Sequence, residues 1–271
     1  MNIEDFVKII KTLGEGAFGV TYLVQNDYNE MLAMKAIDVV KSTQQHVNIN
    51  DIKKEIDTLR RLSSMPNCYP YIVCYHDFIR GNLYGKDVMA IFSDYIEGPT
   101  LTKYMEELNG KPLQASKLIE YMRQLLEALA RIHQYGYAHR DIKSDNIIYD
   151  SKKDRMVVID FGLACSNVCS GSAGSPLWWP PELFDTRPPN SILASQKHDI
   201  WSLGLILYAL ANLQPPTKEE ALDEADLQRI VNGPFIPSHH SDSKINAVID
   251  RMLTKNWRYR PTASETLSYL Q

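Results

Sequence analysis

The sequence has no apolar run long enough to span a bilayer, and no charged-then-apolar leader follows Met1. Asn2 stands where N-myristoylation requires glycine. There is no basic excess: 29 Lys and Arg face 33 Asp and Glu, a net charge of −4. That balance gives no electrostatic footing on nucleic acid or an anionic membrane. Cysteine is scarce. Four residues, Cys68, Cys74, Cys165 and Cys169, are too few for a disulfide scaffold in 271 residues. The C-x3-C pair at 165 and 169 has no His or further Cys close in sequence to complete a zinc site. The expectation is reduced thiols in an intracellular protein. Internal repeats and low-complexity segments are missing as well.

What is present is an ordinary globular composition, 44% hydrophobic and 23% charged, in a chain long enough for two packed lobes. Residues 6–24 and 31–40 read as strands around a glycine-rich turn. Ile52, Ile56, Leu59 and Leu62 then recur at helical spacing. Residues 71–79 and 88–96 return to strand, with 80–87 as the turn between them. Beyond Gly98 the texture becomes helical. Leu118, Met122, Leu125, Leu129 and Ile132 mark one face of a long helix stopped by Gly136. Residues 191–213 contain a nearly all-apolar helix suited to a buried position, and 245–270 predict two short ones. The acidic stretch 211–230 reads as a solvated loop. The seam between the β-rich and helical parts falls near Glu97-Gly98.

Several clusters carry chemistry. Gly14, Gly16 and Gly19 form a GxGxxG turn, a pattern that also marks dinucleotide folds. Here strand-like sequence flanks it on both sides, so the backbone of a hairpin could lie over phosphates. Lys35 sits among apolar strand neighbours, where an ammonium needs an anion, and the next helix offers Glu55. His139-Arg140-Asp141 is followed by Lys143 and Asn146, and Asp160-Phe161-Gly162 closes a β-prone run. Two carboxylates and an amide supply hard oxygens for Mg²⁺.

In this order and spacing the motifs, with Pro181-Glu182, Asp199-x-Trp201-Ser202-x-Gly204 and Arg260, resemble those of eukaryotic-type protein kinases from Leu13 to Arg260. The resemblance implies an α+β, two-lobed protein kinase fold. A small β-rich N-lobe with helix C would span about 1–96, a hinge about 94–98 and a larger, mainly helical C-lobe about 98–271, together one catalytic domain. It implies ATP and Mg²⁺ as cofactors and a protein presenting Ser or Thr as substrate. Lys35, paired with Glu55, would hold the α- and β-phosphates. Asp160 and Asn146 would hold the metals. Asp141 would orient the attacking hydroxyl, and Lys143 would neutralise developing charge. Leu13, Gly14, Gly16, Gly19, Val20, Ala33, Ser93, Asp94, Ile96 and Ile148 would form the nucleotide site, Ser93 being a small gatekeeper. Asp199 would pin the catalytic loop, and Glu182 would pair with Arg260.

Lys143 favours Ser/Thr chemistry by the same resemblance, while Trp178 keeps dual specificity open. Trp179 would add bulk beside the substrate groove. A strong arginine preference is disfavoured, because the positions of acidic readers hold Thr100 and Ala209, leaving Asp145 alone. Ser166, Ser170 and Ser172 are candidate phosphorylation sites. However, no Lys or Arg in 163–179 would help bind the phosphate, and Asp51 lies where a basic helper would sit. A nucleotide-binding pseudokinase is the rival reading.

Overall fold

In the computed structural model the described residues are 1–16, 19–40, 49–64, 66–167, 169, 171–216 and 223–271, with the Asp51 side chain outside the description. The chain divides into two compact units, Met1–Glu97 and Gly98–Gln271.

The first unit is a five-stranded antiparallel sheet in the order β1-β2-β3-β5-β4, made of β1 (Val7–Glu15), β2 (Gly19–Asn26), β3 (Met31–Asp38), β4 (Tyr75–Leu83) and β5 (Lys86–Asp94). Alternation along β3 sends Leu32, Met34 and Ala36 into a core shared with Val24, Ala90, Phe92 and Ile3. Ala33 and Lys35 lie on the opposite face. Helix α1 (Ile49–Leu62) buries Ile52, Ile56, Leu59 and Leu62, the stripe that the spacing predicts. The β4–β5 hairpin is tighter than the sequence suggests. Tyr84 and Gly85 both take positive φ (51° and 82°), the conformation of a two-residue turn matching strand twist, so Arg80–Leu83 stay in strand. Conversely, residues 71–74 precede β4 instead of opening it.

The second unit contains α2 (Leu101–Glu107), α3 (Ala115–Gln134), α4 (Ile192–Asn212), α5 (Glu224–Asn232), α6 (Ser243–Met252) and α7 (Ala263–Ser268). Two small hairpins accompany them. Strand β6 (Tyr137–Ala138) pairs with β9 (Cys165–Ser166), and β7 (Ile147–Asp150) pairs with β8 (Arg155–Val158). All five apolar positions marked on α3 are buried, and α4 is buried nearly all round. The segment 211–230 is not loop throughout: Asp223 caps the helix α5, its carboxylate accepting from the Asp226 amide. Residues 217–222 lie outside the described residues.

The thiol expectation is overturned. All four cysteines are paired, as Cys68–Cys74 and Cys165–Cys169, with Cα atoms 5.3 and 5.8 Å apart. Both bridges close short local loops, which a cysteine count does not reveal.

Glu182 and Arg260 form a buried bidentate pair, Nη1 to Oε1 at 2.8 Å and Nη2 to Oε2 at 3.0 Å. Arg260 also donates to the carbonyls of Lys197, Thr254 and Lys255. Arg260→Met should destabilise the protein by about 3–5 kcal/mol, because it strands a buried carboxylate. Glu182→Leu combined with Arg260→Met should recover part of that loss in urea titrations.

His198 on α4 is buried, and desolvation pushes its pKa from 6.5 down to about 4. The unfolded chain therefore binds the extra proton between those values, and stability falls as pH drops through that window. The loss should reach about 2 kcal/mol by pH 5. Denaturant midpoints at pH 7 and pH 5, repeated with His198→Gln, would read it as a shallower dependence in the variant.

Candidate active site

In the first unit, Lys35 Nζ donates to Glu55 Oε1 at 2.8 Å, with Glu55 buried and Lys35 partly exposed. The pair follows from strand parity on β3 and helical phase on α1, both readable from the sequence. On the same side of β3, Ala33 lies opposite Leu23 on β2 and Ser93 on β5. Two small side chains thus face each other where larger ones would fill the space. Val20 is half-buried on β2, Leu13 exposed on β1 and Ile96 buried just after β5.

Gly19 is required sterically, since a Cβ there would sit 2.0 Å from the Ala36 carbonyl oxygen. Gly14 and Gly16 meet no such wall, and Ala17 and Phe18 lie outside the described residues. Asp94 spends its carboxylate on His76 Nε2, 2.6 Å away, and its amide on the Cys74 carbonyl. Cys74, His76 and Asp94 bring three metal-type donors within 4.8 Å of one another, but the Cys74 sulfur is bonded to Cys68.

In the second unit the residues 139–146 converge on one carboxylate. Asp141 Oδ1 accepts from the Ser175 amide at 3.1 Å and its hydroxyl at 3.2 Å. Asp141 Oδ2 receives Lys143 Nζ and Asn146 Nδ2, each at 2.9 Å. Lys143 also donates to Ser175 Oγ at 3.0 Å. An ionised carboxylate with these partners is held in one orientation, with charge-assisted bonds on both oxygens.

The β7–β8 hairpin brings Asn146 and Asp160 to the same end. Asn146 immediately precedes β7, Asp160 follows β8 by two residues, and the Ile159 amide donates to the Asn146 carbonyl. Asp160 is exposed, with φ 59°, while Phe161 beside it is buried with its ring edge against His139, centroids 4.8 Å apart. A carboxylate and an amide oxygen delivered together are a donor chemistry that fits Mg²⁺. Ile148 is half-buried on β7.

The loop carrying Asp141 is anchored from beneath. Asp199, fully buried on α4, accepts from the backbone amides of His139 (2.9 Å) and Arg140 (2.8 Å) and bonds His133 Nε2 (2.9 Å). Burial raises its pKa, but the His133 bond and the surrounding histidines outweigh that and hold the carboxyl below its usual range. His133 is a participant that no motif discloses: it lies 66 residues from Asp199 on another helix. Its only sequence signal is helical phase on α3, one position past Ile132.

Around this loop, Arg140 Nη2 donates to the Gly171 carbonyl at 2.7 Å. Gly174 passes so close that a Cβ would lie 2.3 Å from the Arg140 carbonyl oxygen. Trp179 does not line a groove as expected. It is buried, with Nε1 donating to the Ala173 carbonyl and its ring against Phe184, because the turn at Pro176–Trp178 rotates it inward. Trp178 is half-buried against Trp201. Asp145 accepts from Thr102 Oγ1 at 2.9 Å. Ser166 is exposed, Ser172 donates to the Leu183 carbonyl, and Ser170 and the Asp51 side chain fall outside the described set. Among the described residues no helix is long and apolar enough to cross a membrane.

Similarity to known proteins agrees with this geometry. The protein kinase domain family matches residues 7–270. The serine/threonine-protein kinase nekl-2 of Caenorhabditis elegans is 29% identical, covering 96% of this chain and 72% of that protein. Serine/threonine-protein kinase Nek3 of Mus musculus is 28% identical over 97% of this chain and 49% of its own length. Mitogen-activated protein kinase kinase kinase 3 of Arabidopsis thaliana is 30% identical over 96% and 41%. The chain thus spans less than half the length of two of these three relatives. With the match running from Val7 to Leu270, the chain belongs to the protein kinase domain family.

Proposed function

We propose that the chain transfers the γ-phosphoryl group of ATP, with Mg²⁺, to Ser and Thr hydroxyls of protein substrates. The observation that carries this reading is the carboxylate of Asp141, fixed through both oxygens by Lys143, Asn146 and the two donors of Ser175. Such a group is placed to take the proton of an incoming hydroxyl as its oxygen attacks phosphorus. Lys143 shares that environment and offsets negative charge as it builds on the transferring group. The metal, when bound, neutralises phosphate charge; Asp160 and Asn146 are the residues that would hold it. Lys35, paired with Glu55, would bind the α- and β-phosphates.

The relatives named for serine/threonine activity support the hydroxyl class. Trp178 packs half-buried against the cluster of Trp201, Leu205 and Val231, and dual specificity is the minor alternative reading. A strong arginine requirement remains disfavoured, since Asp145 is engaged by Thr102. The facing small residues Ala33 and Ser93 favour a nucleotide site that accepts bulk at the adenine's inner edge.

Phosphate transfer from labelled ATP to a degenerate Ser/Thr/Tyr peptide array is the direct test. Asp141→Asn should lower kcat by about 10²–10⁴-fold, and Asp160→Asn should abolish Mg²⁺-dependent transfer. Circular dichroism would confirm that both variants fold. Transfer unchanged in both would overturn the assignment, and a folded wild-type protein that binds ATP without transferring phosphate would indicate a pseudokinase.

Ser93→Met should weaken inhibitors or ATP analogues that carry bulky groups at the inner edge. Unchanged affinity in a competition assay would remove Ser93 from the pocket.

A further inference from the structure

The segment between Asp160 and Glu182 holds Ser175 against Asp141, yet it has no cation of its own with which to fasten a phosphate: residues 163–179 contain neither Lys nor Arg. Arg140, the basic residue reaching it from the catalytic loop, donates to the backbone carbonyl of Gly171. What the segment has is a covalent bond. Cys165 lies in β9, whose partner β6 runs directly into His139-Arg140-Asp141. Cys169 is 2% exposed and stands two residues before Gly171. The bridge therefore closes the stretch leaving β9 immediately before the carbonyl that meets Arg140. Farther on come the contact of Gly174 with Arg140 and that of Ser175 with Asp141.

We propose that the Cys165–Cys169 bond is a reversible covalent modification that orders this segment, so that phosphotransfer is faster with the bridge closed than open. The inference rests on the kinase reading above, because the arrangement it preserves is the one around Asp141. Closing a short ring removes conformations in which the following residues swing away from the loop. The structure shows the closed ring and the assembled Asp141–Lys143–Ser175 group together.

The chemistry balances with a disulfide oxidant such as glutathione disulfide. The Cys165 thiolate, on the more exposed of the two residues, attacks one sulfur and expels a glutathione thiolate. The Cys169 thiolate then attacks the mixed disulfide at Cys165 and expels the second. Two protein thiols are oxidised, one glutathione disulfide is reduced to two thiols, and excess glutathione runs the exchange backwards.

The test equilibrates the full chain in glutathione buffers of graded ratio, maps both bridges by mass spectrometry after alkylation, and measures kcat/KM with a peptide found on the array. The expected result is a loss of roughly tenfold on opening, with the midpoint of the Cys165–Cys169 bridge. Cys165→Ser and Cys169→Ser should show the low value in every buffer, while Cys68→Ser, which removes only the other bridge, should keep the response. Hydrogen exchange of residues 165–175 in the wild-type chain, oxidised against reduced, supplies a readout independent of any variant and of catalysis; protection should fall on opening. A bridge that never forms, activity that stays flat while it opens, or full activity in both serine variants would overturn the proposal. If no sample transfers phosphate, the kinase reading fails, and exchange protection unchanged by reduction would then dispose of the bridge's ordering role as well.

Discussion

The buried carboxylate of Asp199 is the constraint on which the second unit's chemistry depends. Its charge is fully removed from water, an arrangement that costs several kcal/mol unless hydrogen bonds replace the lost solvent. Two of the replacements are consecutive backbone amides, those of His139 and Arg140, so satisfying the charge fixes the peptide that joins them. Arg140 is accordingly held at φ 68°, a conformation a non-glycine residue adopts only when its surroundings impose it. The direction of Asp141 is inherited from that peptide. Lys143, Asn146 and Ser175 then complete an arrangement whose foundation lies on a different helix, 58 residues farther along the chain than Asp141.

The first unit solves a different problem with the same economy. Lys35 must keep an ammonium available on a sheet whose other face packs an apolar core. Strand alternation separates the two demands, and Glu55 meets the lysine from α1. The cross-strand neighbour of Ala33 is Ser93, and neither side chain projects far from the sheet. Room beside Lys35 is therefore a property of the strand register, which would change at every position if β5 slipped by one residue.

Much of this was legible in the sequence, for identifiable reasons. The Lys35–Glu55 pair, the helical stripes of α1 and α3, and the Glu182–Arg260 pair rest on periodicity or on motifs whose order is preserved along the chain. What escaped the sequence depends on tertiary placement. His133 meets Asp199 only because α3 and α4 pack together. Trp179 turns inward because a short helical turn precedes it. The cysteine pairs form because loops bring their Cα atoms within bonding range. The β4–β5 turn differs from the sequence expectation for a local reason: Tyr84 is an unusual residue at positive φ, so the turn signal spreads over eight residues where two suffice.

The inward turn of Trp179 has an optical consequence. The chain has four tryptophans, and three of them (Trp178, Trp179 and Trp201) gather where residues 173–184 meet α4. The Trp179 indole N–H is bonded to the Ala173 carbonyl, and Trp201 is fully buried. Indole emission shifts and dims as its surroundings gain water, so three of the four indoles are sensitive to the packing beside the segment that contacts Asp141. The molecule thus carries its own unlabelled reporter of whether that segment is in place, with Trp257 as the one indole outside that group.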